Sequence, residues 1–407
     1  MAKIAFISVV QTSILMLAFV VEYAVVTGAN KGIGFEIVRQ LASAGIKVVL
    51  TARDEKRGLQ ALETLKAFGL SDFVVFHQLD VADASSVASL AHFVKSQFGK
   101  LDILVNNAGI SGIIIHDLKL FNLAIINRGA LSEDDRRKAV TQTYELAKEC
   151  LQTNYYGAKI TSESLLPLLQ LSDSPRIVNV SSSLGQLESI PNGWLKNFFS
   201  DADNLTEEKV DEVLKKFLKN FKEGSLDQDN GWPKTFSAYI ISKAAMNAYT
   251  RILAKNFPTL CINSICPGYV VTDITANTGL FTVEEGAASV ARLALLPNDV
   301  HGVTFALTAA EPNEDEADPK LVEQWKHANK VAKEIWDNMN NKYTIEDATK
   351  QKFVVRNYLR WQMTEDKEIK MLLADLIKQV IIEDTNEKEC DAARAKDFGV
   401  TEKFNPK

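Results

Sequence analysis

The segment SAYIISKAA, residues 237–245, sets Tyr239 four residues before Lys243 in a stretch whose pattern predicts a helix. Residues four apart share a helical face, so a phenol and an ammonium would stand side by side. Such a pair can move protons. Tyrosine ordinarily ionises near pH 10, and a neighbouring cation favours the phenolate and brings that value down. The spacing is equally met by two amphipathic side chains that bury their stems and expose their tips. The elements that carry the pair must decide between these readings.

From Tyr23 those elements are regular. YAVVTGANKGIGFEIVRQLASAG reads as an apolar strand, a glycine-rich turn and an amphipathic helix, and KVVLTAR follows as a second strand. Further strands are predicted at FVVFHQLD, LDILVNNAG, PRIVNVSSS and LCINSICPG, with helical patterns between them. Alternating strands and helices build a parallel sheet covered on both faces, here a doubly wound α/β (Rossmann) domain.

The first turn holds Thr27, Gly28, Gly32 and Gly34 as T-G-x-x-x-G-x-G. Glycines let the backbone approach a pyrophosphate closely, and the helix N-terminus presents free N–H groups to it. An acid closing the second strand would hold the ribose 2'-hydroxyl of NAD. This strand closes on Ala52 and Arg53, and Lys31 sits inside the glycine turn. Two cations there favour a 2'-phosphate, so NADP(H) is the expected cofactor; the alternative leaves both cations solvated and gives the ribose to Asp54.

Composition narrows the rest. A net charge of -6 over 407 residues gives no general attraction to nucleic acid. The four cysteines show no paired C-x-x-C spacing, which points to a reduced interior without a metal. Residues 4–21 form an apolar run interrupted by Gln11, Thr12 and Ser13. Its length is marginal for a membrane span, and no small-residue cleavage site precedes YAVVTG. The expectation is a cytoplasmic body, with membrane contact through residues 4–21, an endoplasmic reticulum tether, as the alternative.

Seven motifs in order, TGANKGIG, Leu79-Asp80, NNAG, Asn154 in LQTNYYG, VNVSSS, YIISK and CPGYVVTD, resemble the short-chain dehydrogenase/reductase family over residues 23 to about 300. More narrowly the chain resembles plant carbonyl reductases related to neomenthol dehydrogenase and salutaridine reductase. The resemblance implies Tyr239 as general acid for reduction, Lys243 as its electrostatic partner and a ligand of the nicotinamide ribose, Ser182 as hydrogen-bond donor to the substrate oxygen, and Asn154 as holder of a water that links Lys243 to solvent. Strand alternation turns Ser181 and Ser183 away from Ser182. The cofactor contacts carried over are Gly28, Lys31, Gly32, Ile33, Gly34, Arg53, Asp80, Val81, Asn106, Asn107, Gly109, Pro267, Gly268 and Thr272. The loops after the fourth strand and after the serine strand are apolar and aromatic, which suggests a bulky ketone of terpenoid or alkaloid type, reduced reversibly.

The family's long insertion falls at about 185–235. Within it LTEEKVDEVLKKFLKNFKEG is amphipathic by its own pattern, with acids leading and lysines trailing. In the family this insertion covers an oligomerisation surface, which implies a monomer.

Three domains are expected: the apolar segment 1–21, the reductase body 22–303, and an α-helical extension 304–407 joined by the acidic, proline-flanked run EPNEDEADPK. Pieces of the extension, such as AKEIWDNMNNKYTIEDATKQKFVV, resemble the gag-like region of plant copia-type retrotransposons, without the zinc knuckle. If GVTFALT (302–308) supplies the last strand, the sheet edge closes. The rival function is a catalytically silent nucleotide-binding or self-associating protein.

Overall fold

The computed structural model describes residues 21–126, 132–226 and 231–295, and the backbone of a strand at 304–306. The apolar run before Val21 and the gag-like extension beyond residue 306 lie outside the described residues. Among the described residues no helix is long and apolar enough to cross a membrane.

Strand β1 (Tyr23–Val26) is followed by helix α1 (Gly32–Ser43), β2 (Lys47–Ala52), α2 (Glu55–Ala67), β3 (Val74–Gln78), α3 (Ala84–Phe98) and β4 (Ile103–Asn106). A two-stranded ribbon, β5 (Ile114–Ile115) and β6 (Val140–Thr141), brackets helices α4 (Leu118–Ile126) and α5 (Glu133–Ala139). Then come α6 (Tyr144–Leu151) and α7 (Gly157–Leu169), joined through a π-helical turn at Gln152–Tyr156, and β7 (Arg176–Val180). The insertion holds α8 (Trp194–Ser200) and α9 (Glu207–Lys222). Helix α10 (Ser237–Asn256), β8 (Cys261–Cys266), α11 (Val283–Ala294) and β9 (Thr304–Ala306) complete the order.

The main sheet is parallel throughout, in the order β3-β2-β1-β4-β7-β8-β9. Its register aligns one apolar row across five strands: Val49 pairs with Val25, Val25 with Leu104, Leu104 with Ile177 and Ile177 with Ile262. All five are fully buried, as parallel strands with both faces covered should be. Burying each such side chain contributes about 1.5–3 kcal/mol. The row belongs to one core with Val87 and Leu90 of α3, Leu165 and Leu168 of α7, and Ile241 and Ala245 of α10. Helices α1 and α11 pack on each other.

Strand β9 pairs with β8 through Thr304, Phe305 and Ala306. The sheet therefore runs past residue 303, and Thr304–Ala306 give the outer edge of β8 a partner.

The insertion helix forms where its pattern places it. Thr206 caps α9, accepting from Lys209 N at 3.4 Å, Glu207 and Glu208 fill the first turn, and Lys219 and Lys222 the last. Val210, Val213, Leu214 and Phe217 are buried, and Phe217 meets the buried Trp232 ring at 5.3 Å. Lys159 of α7 fixes the helix with ion pairs to Asp211 (3.0 Å) and Glu207 (3.1 Å). All three side chains are largely sheltered from solvent, unlike ordinary surface pairs.

Candidate active site

At the carboxyl edge of the sheet the strand ends open onto a cleft of about 1370 Å³. Its walls come from the loops after β1, β2, β3, β4, β7 and β8 and from the start of α10. Parallel α/β sheets bind ligands at this edge because loops there can diverge and helix N-termini point inward.

The glycine loop forms one end. Gly28 has φ 64° and Gly32 φ 56°, left-handed conformations that glycine adopts freely. Gly34 has an ordinary φ but no room: a Cβ there would stand 2.4 Å from Asn107 Nδ2 and 2.5 Å from Gly28 O. Asn107 Nδ2 donates to the carbonyls of Thr27 (2.9 Å) and Gly28 (3.0 Å), while Thr27 Oγ1 accepts from Asn107 N and Ala108 N. Asn107 thus braces the loop from the end of β4. Replacing Gly34 by Ala is expected to weaken NADPH binding by about tenfold or more, since it expels the Asn107 amide and crowds the loop backbone. Fluorescence titration of the folded variant checks this; wild-type affinity would show that the loop accommodates the methyl group.

Gly28, Lys31, Gly32, Ile33, Gly34, Arg53, Asp80, Val81, Asn107, Gly109, Pro267, Gly268 and Thr272 all line the cleft. Asn106 does not. As the last residue of β4 it turns to the opposite face and is buried, its Nδ2 donating to Ser162 Oγ (2.9 Å) and Asn179 Oδ1 (2.8 Å). Asn179 donates in turn to Thr250 Oγ1 at 2.9 Å. Asn106 therefore ties β4 to β7 and to α7, and the period-two alternation of strands is why its neighbour Asn107 faces the cleft instead. Asp54 also lines the cleft, and its Oδ1 caps α2 by accepting from Arg57 N at 2.9 Å. Arg57 also lines the cleft, a cation that the sequence reading passed over although it lies one helical turn beyond Arg53. Lys31 pairs with Asp273 across the cleft. Arg53 lies 3.9 Å from Glu149 on an exposed surface.

The other end holds Ser182, Tyr239 and Lys243. Ser182 follows β7 and caps a short 3-10 turn, its Oγ accepting from Leu184 N at 3.2 Å. Its hydroxyl lies near enough to the Tyr239 phenol to favour the phenolate. Lys243 is 3% exposed. Its Nζ donates to Val180 O at 2.7 Å and stands 5.8 Å from the centre of the Tyr239 ring. Desolvation brings the ammonium down to about 8. Burial pushes the phenol above the usual tyrosine value, and the Ser182 hydroxyl only tempers this. Desolvation thus dominates both groups, raising the phenol and lowering the ammonium.

Asn154 sits outside the cleft lining, fully buried in the π-helical turn. Its Oδ1 accepts from Ile110 N at 2.8 Å, and its Nδ2 donates to Ile110 O (2.9 Å) and Ser242 Oγ (3.0 Å). The side chain thus pins the loop after β4 to α10 between Tyr239 and Lys243. The turn is closed by a bond from Gly157 N to Gln152 O, and such one-residue widenings recur at functional sites.

Contacts absent from the sequence reading complete the frame. A Cβ on Gly185 would stand 2.7 Å from both C and Cβ of Lys243, so glycine lets the serine turn press directly on α10. Asn247 Nδ2 secures that turn by donating to Gly185 O at 3.0 Å. Gln142 Oε1 accepts from Ser237 N (2.8 Å) and Oγ (3.0 Å), anchoring the first turn of α10. Phe236, with φ 54°, starts that helix from the left-handed region, a strain found mostly at functional sites. Three of the cysteines, Cys150, Cys261 and Cys266, are buried as thiols outside any disulfide. No group of metal-binding side chains is present among the described residues.

A cleft of this build takes a nucleotide at its glycine end and presents a reacting group to a proton donor at the other, which is the arrangement of dinucleotide-dependent oxidoreductases. Comparison with known proteins is specific. The family model described as short chain dehydrogenase matches residues 22–193. A (+)-neomenthol dehydrogenase of Arabidopsis thaliana is 58% identical over 280 residues, covering 68% of this chain and 92% of that protein. The structure of salutaridine reductase from Papaver somniferum shares 50% identity at a TM-score of 0.64, covering 70% of this chain and 99% of that one. A mouse protein named carbonyl reductase [NADPH] 3 is 37% identical over 311 residues, covering 74% of this chain and 98% of that protein. The chain belongs to the short-chain dehydrogenase/reductase family.

Proposed function

We propose that the protein is an NADPH-dependent carbonyl reductase acting reversibly on bulky, apolar ketones of the terpenoid or alkaloid kind. The observation that carries the reading is the convergence of Ser182, Tyr239 and Lys243 at one end of a cleft whose other end is lined by Lys31, Arg53 and Arg57. Relatives named for neomenthol, isopiperitenone and salutaridine support the substrate class. The apolar side chains of Ile110, Ile113, Phe121, Leu184, Phe236 and Leu280 around the Tyr239 end fit it.

The cofactor fits the residues present. The backbone of Gly28, Gly32 and Gly34 would cradle the pyrophosphate, in a loop whose shape needs glycine because a Cβ at Gly28 would strike Ala108 and one at Gly34 would strike Asn107. Lys31, Arg53 and Arg57 would meet a 2'-phosphate, for which charge-assisted hydrogen bonds are strong. NADPH supplies the hydride. Ser182 Oγ–H and the Tyr239 phenol would orient the carbonyl oxygen, where negative charge develops, and the phenol would pass its proton to that oxygen. Burial keeps the phenol protonated, the form that reduction consumes. Lys243, at the foot of the phenol, would steady the charge left behind and hold the ribose.

The test is oxidation of NADPH and of NADH by the purified protein with menthone and larger cyclic ketones. NADPH is expected to be preferred by at least about a hundredfold, and the Arg53→Ala/Arg57→Ala variant to lose about tenfold or more of that preference through NADPH alone. Equal use of both cofactors would overturn the assignment, and so would an unaltered preference in the variant. Helix α9 covers the face formed by α6, α7 and α10, which supports a monomer; size-exclusion chromatography with light scattering checks this.

A further inference from the structure

The loop after β8 is a self-bonded strap. Tyr269 O accepts from Leu280 N (2.6 Å) and Phe281 N (3.0 Å), Val271 N donates to Phe281 O (2.9 Å), and Thr275 Oγ1 donates to Val270 O (2.7 Å). A Cβ on Gly279 would stand 2.2 Å from Val270 C, so the two limbs of the strap touch. On the substrate side of the cleft the strap contributes Val270, Val271 and Leu280, and helix α4 contributes Phe121 and Ile125. These surfaces are apolar, and apolar side chains, whose attraction has no direction, do not by themselves fix the width between α4 and the strap.

A polar contact joins the two. The phenol of Tyr269 donates to Asn122 Oδ1 of α4 at 3.1 Å and shares a 2.6 Å contact with Thr278 Oγ1 within the strap. Tyr269 itself lines the cleft, Asn122 and Thr278 stand behind its lining, and all three side chains are partly buried. A hydrogen bond away from bulk water is short-ranged and directional, so it fixes what the apolar contacts leave free. Phe121 also packs edge-on against Phe236 at 5.8 Å, which carries the position of α4 to the start of the helix holding Tyr239.

We propose that Tyr269 is a specificity-determining residue: latched to Asn122 and Thr278, it sets the width of the ketone pocket by holding helix α4 on the strap, and so selects compact alicyclic ketones over larger fused-ring ones. The inference rests on the reductase reading for its substrate class, and on the geometry alone for the latch.

The test is a double-mutant cycle of Tyr269→Phe and Asn122→Leu, read in two ways. In steady-state reduction, each variant is expected to raise KM for menthone about five- to tenfold, as loss of one or two net hydrogen bonds would. The rise for a fused-ring ketone is expected to be smaller, with kcat moving less than twofold and the double variant no worse than the weaker single one. In hydrogen exchange of the ligand-free proteins, amides of residues 118–126 are expected to lose protection in all three variants while those of α10 do not. A KM rise in the Tyr269 variant but not the Asn122 variant would overturn the latch and assign the phenol to the substrate directly. Additive effects, or unchanged exchange in α4, would overturn it as well. Exchange needs no substrate, so if the wild-type protein reduces no ketone the functional reading fails while the latch is still decided.

Discussion

Replacing Tyr239 by Phe is expected to reduce kcat/KM for ketone reduction by about a thousandfold while leaving NADPH affinity within about twofold. The ring keeps its packing, and only the hydroxyl that would deliver the proton is removed; general acid catalysis of this kind contributes about 10²–10⁴ in rate. Ser182 Oγ stays in place to bond the carbonyl oxygen, so residual turnover above the uncatalysed reaction is expected. Because burial holds the phenol above its usual value, the wild-type enzyme should not lose activity on the alkaline side through Tyr239 at any pH near neutrality. Measuring NADPH oxidation beside NADPH fluorescence titration separates chemistry from binding. A Phe variant within tenfold of wild type would place the proton donor elsewhere.

The alkaline limit should come from Lys243 instead. Its ammonium is held down to about 8 by desolvation, so it is charged below that pH and loses its proton as pH rises through it. Reduction, which needs the cation beside the phenol, should therefore fall above about pH 8. In the Lys243→Met variant activity should drop by about a hundredfold, and the inflection near pH 8 should vanish from what remains.

The same shift predicts a gain in stability. The unfolded chain keeps the lysine proton up to about 10.5, so the cost of burying the cation is present in full below about pH 8 and fades as pH rises toward 10.5. The gap between 10.5 and about 8 corresponds to about 3 kcal/mol. Stranding the Val180 carbonyl in the Met variant returns about 1–3 kcal/mol of that. The variant should unfold at the same or a higher temperature than wild type at pH 7, and lose that advantage at pH 10. A lower unfolding temperature at pH 7 would mean that the Val180 bond outweighs desolvation.

Much of this site is legible in the sequence because it is local. The glycine loop, the Tyr239–Lys243 spacing and the amphipathic insertion helix each depend on residues within a few turns of one another, and periodicity reports them directly. Asn106 shows where motif reasoning stops: the pair Asn106-Asn107 is one motif, but strand alternation sends the first to the core and the second to the cleft. The contacts that set the frame are long-range and left no pattern to read. Gly185 against Lys243, Gln142 against Ser237 and Tyr269 against Asn122 join segments far apart in the chain. The ribbon β5–β6 and the π-helical turn at Asn154 are likewise products of packing, too short to impose a period. The phenol's high ionisation value belongs to the same group, since how deeply a side chain is buried follows from the assembled cleft and not from its neighbours in sequence.

The strand order has a consequence for synthesis. Strands β3, β2, β1 and β4 use one continuous stretch, Tyr23–Asn106, and can pair as soon as it has left the ribosome. The next neighbour of β4 is β7, which begins at Arg176. At about 5–20 residues per second the 69 residues between them take about 3–14 s to translate. Throughout that interval the nascent half-sheet carries an open β4 edge lined with Ile103, Leu104 and Val105, a template for pairing with other chains. Yield in a heterologous host should therefore depend less on the stability of the finished fold than on what shields that edge in the meantime, so slower translation without a chaperone should favour inclusion bodies.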